Sequence, residues 1–449
     1  MARARVAVWG GVAAAVLIAA AMAVPALTGW VVKVSTPPLH AEWMPRIGPG
    51  LPAAVALGAL AVVFAPRLAR RMRWVPLQAT VFAAALAWLL SLALVDGLDG
   101  IGTILNHRYE YLGTAREVTD FGATLREYVD RIPYAHEDNW PVHIAGHPPG
   151  ALLFFYLLVR IGLGSGLAAG FVVILVGATI PVAVLGAVRA LGAELLARRA
   201  APVLVFTPAA IWIGVSGDGM FTAFAAWGLW ALARAATVRR RGGGVLAMTA
   251  WSVLAGLLLG YCVMLSYGLP LLGVLAVAVL AAGRSWWPIP IAAAAALLVV
   301  LLFAAGGFAW WEAFPVLQQR YWDGVASRRP PEYWMWGNLA AFAISAGPMV
   351  AASLAGAVDA RFGPARRTLS APERDAVRTI VLLVGAAWVS IALADLSQMS
   401  RAEVERIWLP FVPWALLGLA LFAQRARRTM LAIQIALALL VQTLLNTGW

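Results

Sequence analysis

The 449-residue chain has one cysteine, Cys262, and only 12% charged residues against 62% hydrophobic ones. A single thiol inside an apolar run excludes a disulfide framework, a cysteine metal cluster and dithiol redox chemistry. So few charges cannot supply the wettable surface of the two or three soluble domains that this length would otherwise suggest. A repeat of fixed period, a polar low-complexity linker and a recognisable nucleotide-binding motif are also missing. What is present is a series of apolar runs of about 16 to 27 residues, where a helix rising ~1.5 Å per residue needs roughly 20 to cross ~30 Å of hydrocarbon. The expected fold class is therefore all-α, a polytopic transmembrane helical bundle. The net charge of +13 does not point to nucleic acid, because the arginines fall in short clusters between apolar runs rather than on one polar face.

With the basic N-terminus inside, spans are predicted at 6–32, 48–66 and 75–95, and Arg67, Arg70, Arg71 and Arg73 mark a cytoplasmic turn. The first span reads as an uncleaved anchor rather than a signal peptide. Apolar stretches at 148–163 and 168–188 follow, then spans at 201–216, 219–234, 245–265, 268–283, 287–308, 336–356, 379–394, 408–423 and 429–448. Simple alternation would put the Arg239–Arg241 cluster outside. One net crossing over 148–188, with one stretch short or re-entrant, restores the positive-inside pattern. About 13 crossings result, divided into 1–74 (two N-terminal helices), 75–423 (the main module) and 424–449 (a C-terminal helix). This threading puts 23 basic and 4 acidic residues inside and 11 basic and 17 acidic residues outside. The basic split orients the chain in the cell membrane. The carboxylates, in contrast, collect on the extracytoplasmic side.

The first large outer loop, 96–147, holds nine of the 21 acids and four of the five histidines. A loop of this length in a compact membrane protein is usually functional or a small domain of its own. Val118, Phe121, Leu125, Val129 and Ile132 recur at three- and four-residue spacing, which predicts an amphipathic surface helix near 117–132 whose charges form a solvated face. Asp96 and Asp99, where the third span leaves the membrane, and Glu110, in Tyr109-Glu110-Tyr111-Leu112, are candidate general bases. Helix capping or pairing with a nearby arginine is the plainer role for each. The loop ends in His143-Ile-Ala-Gly-His147-Pro148-Pro149-Gly150, where the prolines direct the chain into the bilayer and His147 stands at that mouth. His143 and His147 have metal-ligand spacing only on a helix, and Gly146 with Pro-Pro argues against one there.

Other outer turns converge on the same side. Asp218 is the only charge between two spans, suited either to a turn or to a cleft. The loop 309–336 combines five tryptophans with Arg320, Tyr321, Arg328 and Arg329, an aromatic belt that also suits sugar stacking and phosphate clamping. Arg406 lies at the outer membrane edge against the positive-inside trend, with Glu405 beside it to neutralise it or a lipid-linked phosphate to bind it.

Taken in order, these pieces resemble the C superfold of membrane glycosyltransferases, including protein-mannosyltransferase-like, aminoarabinose-transferase-like and actinobacterial arabinosyl- and mannosyltransferase-like families. The motifs concerned are Tyr109-Glu110-Tyr111-Leu112 with Asp99 upstream, the loop helix, His147-Pro148-Pro149, Asp218 and Arg406-Ile-Trp-Leu-Pro410. Each is short, and together they span most of 75–423. Two extra spans precede the expected first one, Tyr-Glu stands for the usual Asp-Glu, and Gly150 follows Pro-Pro. The resemblance implies a glycosyltransferase fold with surface helices in a large first outer loop. It further implies a polyprenyl-phosphate sugar donor and a glycan, glycolipid or protein acceptor. Glu110, Asp99 or Asp96 would be the base, while His143, His147, Asp218, Arg320, Tyr321, Glu405 and Arg406 would bind substrate. No organic cofactor is implied, and a divalent cation is left open, its ligands unknown. A lipid-linked-sugar transporter or flippase would instead need mid-span charges or internal repeats, and a membrane scaffold would need only the acidic loop.

Overall fold

The computed structural model describes residues 3–448, without the side chains of residues 365 and 366; Met1 and Ala2 of the predicted N-terminal segment and Trp449 of the C-terminal one lie outside it. Among the described residues nine helices are long and apolar enough to cross a membrane, or ten if one bent pair is a single span. Extended structure is limited to a short antiparallel pairing of Glu42–Trp43 with Leu445–Asn446 and an isolated bridge from Thr36 to Leu39. The chain is an all-helical, multi-pass membrane protein. The expected count of about 13 crossings relies on further stretches shorter than these.

Burial separates the helices into inner and outer ones. In the central helix Gly217–Val238, extended by a tight turn to Arg241, 72% of the apolar window is buried, against 17% for Pro288–Ala305. The first therefore runs through the middle of the bundle, and the second presents side chains such as Leu298 and Leu302 to lipid. Lipid tails give no hydrophobic drive to helix pairing, so close approach has to come from small residues. Gly256 and Gly260, one turn apart, face the backbone of Ala292 and Ala296, leaving no room for a side chain at either glycine.

Several predicted spans are interrupted, each for a local reason. The stretch 336–356 is two helices, Pro331–Ser345 and Met349–Phe362, meeting at 98°. Gly347 adopts φ 86° and Pro348 lacks an N–H, so the helix cannot continue. The freed carbonyl of Ala346 accepts from Gln434 Nε2 at 2.7 Å, which replaces the lost helical bond inside the bundle. The predicted span 201–216 is also not one helix: Glu194–Val205 ends before Pro208, and one turn, Ala210–Ile213, comes next. In 408–423, Pro410 and Pro413 break the run into short turns that are buried throughout. Over 148–188 the short member is the first, Gly150–Arg160, while Gly166–Ala190 has spanning length. The predicted surface helix near 117–132 is instead two helices, Tyr111–Glu117 and Phe121–Glu127. Asp120 accepts from the Gly122 and Ala123 amides and starts the second helix, which breaks the continuous pattern.

Charges divide between two ends. Ion pairs at one end join Arg3 to Asp359, Glu194 to Arg189 and Arg198, and Arg284 to Asp375. At the other, Arg46 meets Asp96, and Glu110, Asp218 and Glu403 gather with Arg329 and Arg406. Among the described residues no ion pair crosses between these sets, which match the two sides of the sequence threading. Cys262 is buried, so cysteines introduced in its serine background report on side alone. Cysteines at exposed Asp99 and exposed Arg240 are expected to react with a membrane-impermeant maleimide from opposite faces of sealed vesicles. Labelling of both from one face would contradict the two-ended arrangement.

Candidate functional site

The acidic end contains a row of buried ionisable side chains drawn from four separate segments. Glu110 precedes the helix Tyr111–Glu117 with extended backbone, and its carboxylate leaves that helix uncapped to reach His143 Nδ1 at 2.9 Å. His143 lies in a one-turn helix, Val142–Ala145, that Pro141 initiates. Its Nε2 faces Arg406 Nη2 at 3.3 Å. A guanidinium only donates, so Nε2 is the acceptor and the ring proton sits on Nδ1, toward Glu110. Arg406 Nη1 donates to Asp218 Oδ2 at 2.8 Å. Asp218 reaches that position because Ser216 Oγ accepts from the Gly219 amide and starts the central helix there. All four side chains are almost completely buried.

Glu403 joins the row from the side. Its Oε2 is 3.7 Å from Arg406 Nη2 and its Oε1 accepts from Arg329 Nη2 at 3.2 Å. On the single turn Val404–Ile407 the residue three before Arg406 shares its face, whereas the adjacent Glu405 points away. Asp218 and Glu403 therefore neutralise Arg406, where the sequence suggested Glu405. Glu403 is held out by two successive left-handed residues, Ala402 (φ 70°) and Glu403 (φ 62°), a conformation that needs support from its surroundings. That support comes from Asn338, which accepts from the Ala402 amide at 3.0 Å and donates to Asp395 and to the Ser400 carbonyl. Sequence reasoning passed over Asn338, although an amide within an otherwise apolar helix is a usable signal.

Charge and burial set the protonation states. Burial raises the Glu110 carboxyl, but the His143 hydrogen bond and the charges around it prevail, leaving it below its ordinary value and ionised near neutrality. Glu403 is lowered in the same way, burial being outweighed chiefly by Arg329 and Arg406. Burial opposes the Arg406 charge, yet Asp218, Glu403 and Glu110 together hold it more firmly than usual. Burial drives His147 down to about 4 against the pull of Asp218. Its Nδ1 donates to the His143 carbonyl at 2.8 Å, leaving Nε2 as an acceptor. Burial lifts Glu405 to about 7.

Aromatic rings enclose the row. Tyr111 stacks on Phe155 with 5.4 Å between ring centres and meets His147 and Phe221 edge-on. The Tyr111 hydroxyl and Glu110 Oε2 are buried without hydrogen-bond partners. Such atoms are rare in folded proteins, so each calls for a physical explanation.

Of the sequence-predicted site residues, Glu110, His143, His147, Asp218 and Arg406 come together here. The others have different surroundings. Asp96 pairs with Arg46 and accepts from Gln442, and Asp99 is exposed, with its carbonyl bound by Thr103. Arg320 donates to the carbonyls of Ile132 and Trp140 and lies over the Tyr134 ring, so it fastens the loop 132–140 instead of presenting a free edge to phosphate. The Tyr321 hydroxyl accepts from the Arg401 amide. A helical turn does form at His143, contrary to expectation, because Gly146 and Pro148 interrupt only the residues beyond that turn. Both ring nitrogens of His143 face Glu110 and Arg406, which leaves none to bind a metal. Among the described residues no three His, Cys, Asp or Glu side chains are grouped as a metal site requires.

Compared with known proteins, the chain matches no family model, no curated protein and no solved structure.

Replacing Arg406 leaves Asp218 buried without its cation and half-buried Glu403 with Arg329 alone, so Arg406→Gln is expected to destabilise the folded protein by about 3–5 kcal/mol in detergent thermal unfolding. Asp218→Asn on top of it should recover part of that loss, and strictly additive losses would show that the two are not coupled. For Glu405, the folded value of about 7 lies above its ordinary 4.5, so ionisation opposes folding as pH rises between them. Relative to Glu405→Gln, the wild type should lose about 3 kcal/mol of stability from pH 4.5 to 7. Parallel pH profiles for the two proteins would contradict that burial.

Proposed function

We propose that the protein is an integral-membrane glycosyltransferase that moves a sugar from a polyprenyl-phosphate carrier to a hydroxyl of a glycan, glycolipid or protein on the extracytoplasmic face. The observation that carries this reading is the ionised Glu110, with one carboxylate oxygen held by His143 and the other unpartnered, in a buried row that runs through His143 to Arg406 and Asp218. The common outer side of the segments that meet there, inferred from the arginine distribution, supports the placement of the site.

In the proposed reaction Glu110 Oε2 takes the proton from the acceptor hydroxyl as the hydroxyl oxygen forms a bond to the anomeric carbon. The bond between that carbon and the carrier phosphate oxygen breaks, and its electron pair leaves with the polyprenyl phosphate. Arg406 faces the charge that develops on the leaving phosphate. Positive charge also develops on the sugar ring, and Asp218 and Glu403 favour it electrostatically. His143 is a positioning residue: its Nδ1–H fixes one Glu110 oxygen and thereby aims the other. A carrier-linked donor explains why sugar chemistry belongs at the end of apolar helices, and it requires no nucleotide sugar outside the cell. The transfer needs no redox or organic cofactor, and Arg406 already provides the compensating charge that a divalent cation would bring.

The test is transfer of radiolabelled sugar from polyprenyl-phosphate donors to cell-envelope acceptors by the purified full-length protein. Glu110→Gln is expected to lower the rate by about 10²- to 10⁴-fold, the usual contribution of a general base. Asp99→Asn and Asp96→Asn should stay within a few-fold of wild type. Full activity in Glu110→Gln would overturn the residue assignment, and absence of transfer from every such donor would overturn the activity.

A further inference from the structure

The opposite, arginine-rich end of the bundle contains a polar concavity, which shares no residue with the Glu110 row. A cavity of about 150 Å³ opens between the start of Trp74–Ala93, the C-terminal part of Gly166–Ala190 and the end of Gly217–Arg241. That volume equals about five waters, enough for a phosphate group and its first substituent.

One wall of the cavity is cationic and another aromatic: Arg189, Arg234 and Arg241 face it together with Trp74 and Trp230. Arg189 Cζ lies 4.5 Å from the Trp74 ring centre, and Arg234 Cζ lies 4.7 Å from that of Trp251. Stacking on an indole holds a guanidinium in one plane and leaves its N–H edge directed past the ring, the geometry that suits bidentate contact with phosphate.

The local charge is not balanced. A single carboxylate, Glu194, is shared by Arg189 at 2.8 Å and Arg198 at 2.7 Å. Among the described residues no acid forms an ion pair with Arg234 or Arg241; Arg241 instead donates to the carbonyls of Arg189 and Ala190. Gln78 adds an observation independent of charge. Its Nε2 donates to the Val182 carbonyl at 3.1 Å, which fixes the amide, while its Oε1 is buried with no hydrogen-bond partner. The cavity thus pairs guanidinium donors for an anion with an acceptor that a hydroxyl would satisfy.

We infer that this cavity binds a phosphate group bearing a hydroxyl-containing substituent, chemistry shared by glycerol-phosphate lipid headgroups and soluble glycerol phosphate. Val75, next in the chain to cavity-lining Trp74 at the start of a span, is exposed, so a headgroup entering from the adjoining leaflet keeps its acyl chains in lipid.

The test uses the full-length protein in phosphatidylcholine nanodiscs with phosphatidylglycerol added in steps, bound lipid being counted by native mass spectrometry. Saturable retention of one phosphatidylglycerol over phosphatidylcholine is expected. Removing two cations in Arg234→Gln/Arg241→Gln should weaken that retention about thirty-fold, and Arg241→Gln alone about five-fold. The single change is on an exposed side chain, so it remains readable if the double variant does not fold. Displacement of the lipid by soluble glycerol phosphate would support the same chemistry drawn from water, and resistance to displacement would support the lipid. Retention unchanged in both variants would overturn the inference. So would equal retention of the two lipids together with no binding of glycerol phosphate.

Discussion

A guanidinium cannot be left alone among buried apolar helices, and the burial of Arg406 dictates what surrounds it. Removing such an ion from water costs several kcal/mol, and only well-placed partners offset that cost. Asp218 comes from the start of the central helix, Glu403 from a loop, and His143 from a one-turn helix ahead of Pro148-Pro149. Each partner lies in a different part of the chain, so the ionic contacts join segments that the hydrophobic effect alone would leave free to slide. Glu110 meets the row through His143, so the position of its carboxylate depends on Arg406 at one remove.

Bringing these groups together requires a backbone that departs from simple spanning helices. The break at Gly347-Pro348 turns the chain by 98° inside the bundle, and Gln434 takes up the exposed carbonyl. The region after Arg406 is a succession of short turns around Pro410 and Pro413, buried throughout. Ala402 and Glu403 adopt left-handed conformations under the control of Asn338. Irregular backbone at such depth is tolerated where protein, rather than lipid, surrounds it, because its polar groups then find partners. The two ends of the bundle differ accordingly. One gathers carboxylates around two buried guanidiniums, and the other stacks arginines on tryptophans beside an open cavity.

The resemblance to membrane glycosyltransferases rested on short motifs, their order and their common side. The structure brings Glu110, His143, His147, Asp218 and Arg406 into one place, and that convergence is what makes a shared chemical role for them worth testing. Arg320 and Tyr321 show the opposite outcome. Residue type and outer location made them candidates, but their polar atoms fasten backbone carbonyls and an amide.

Composition and periodicity alone determined that the chain is helical and membrane-spanning, that its arginines and carboxylates separate to two ends, and that loop 96–147 is unusually rich in acids and histidines. These properties arise from the cost of placing charge or unpaired backbone in hydrocarbon, which acts on every residue and so leaves a trace in the linear order. Tertiary structure alone decided which acid joins the buried row: Glu110 does, while Asp96 pairs with Arg46 and Asp99 stays exposed, and Glu403 rather than Glu405 is the neighbour of Arg406. It also decided where spans break, as at Gly347. The reason is the range of the interactions. A buried charge is settled by whichever opposite charge folding brings within a few ångströms, and for Arg406 that partner is Asp218, 188 positions away in the chain.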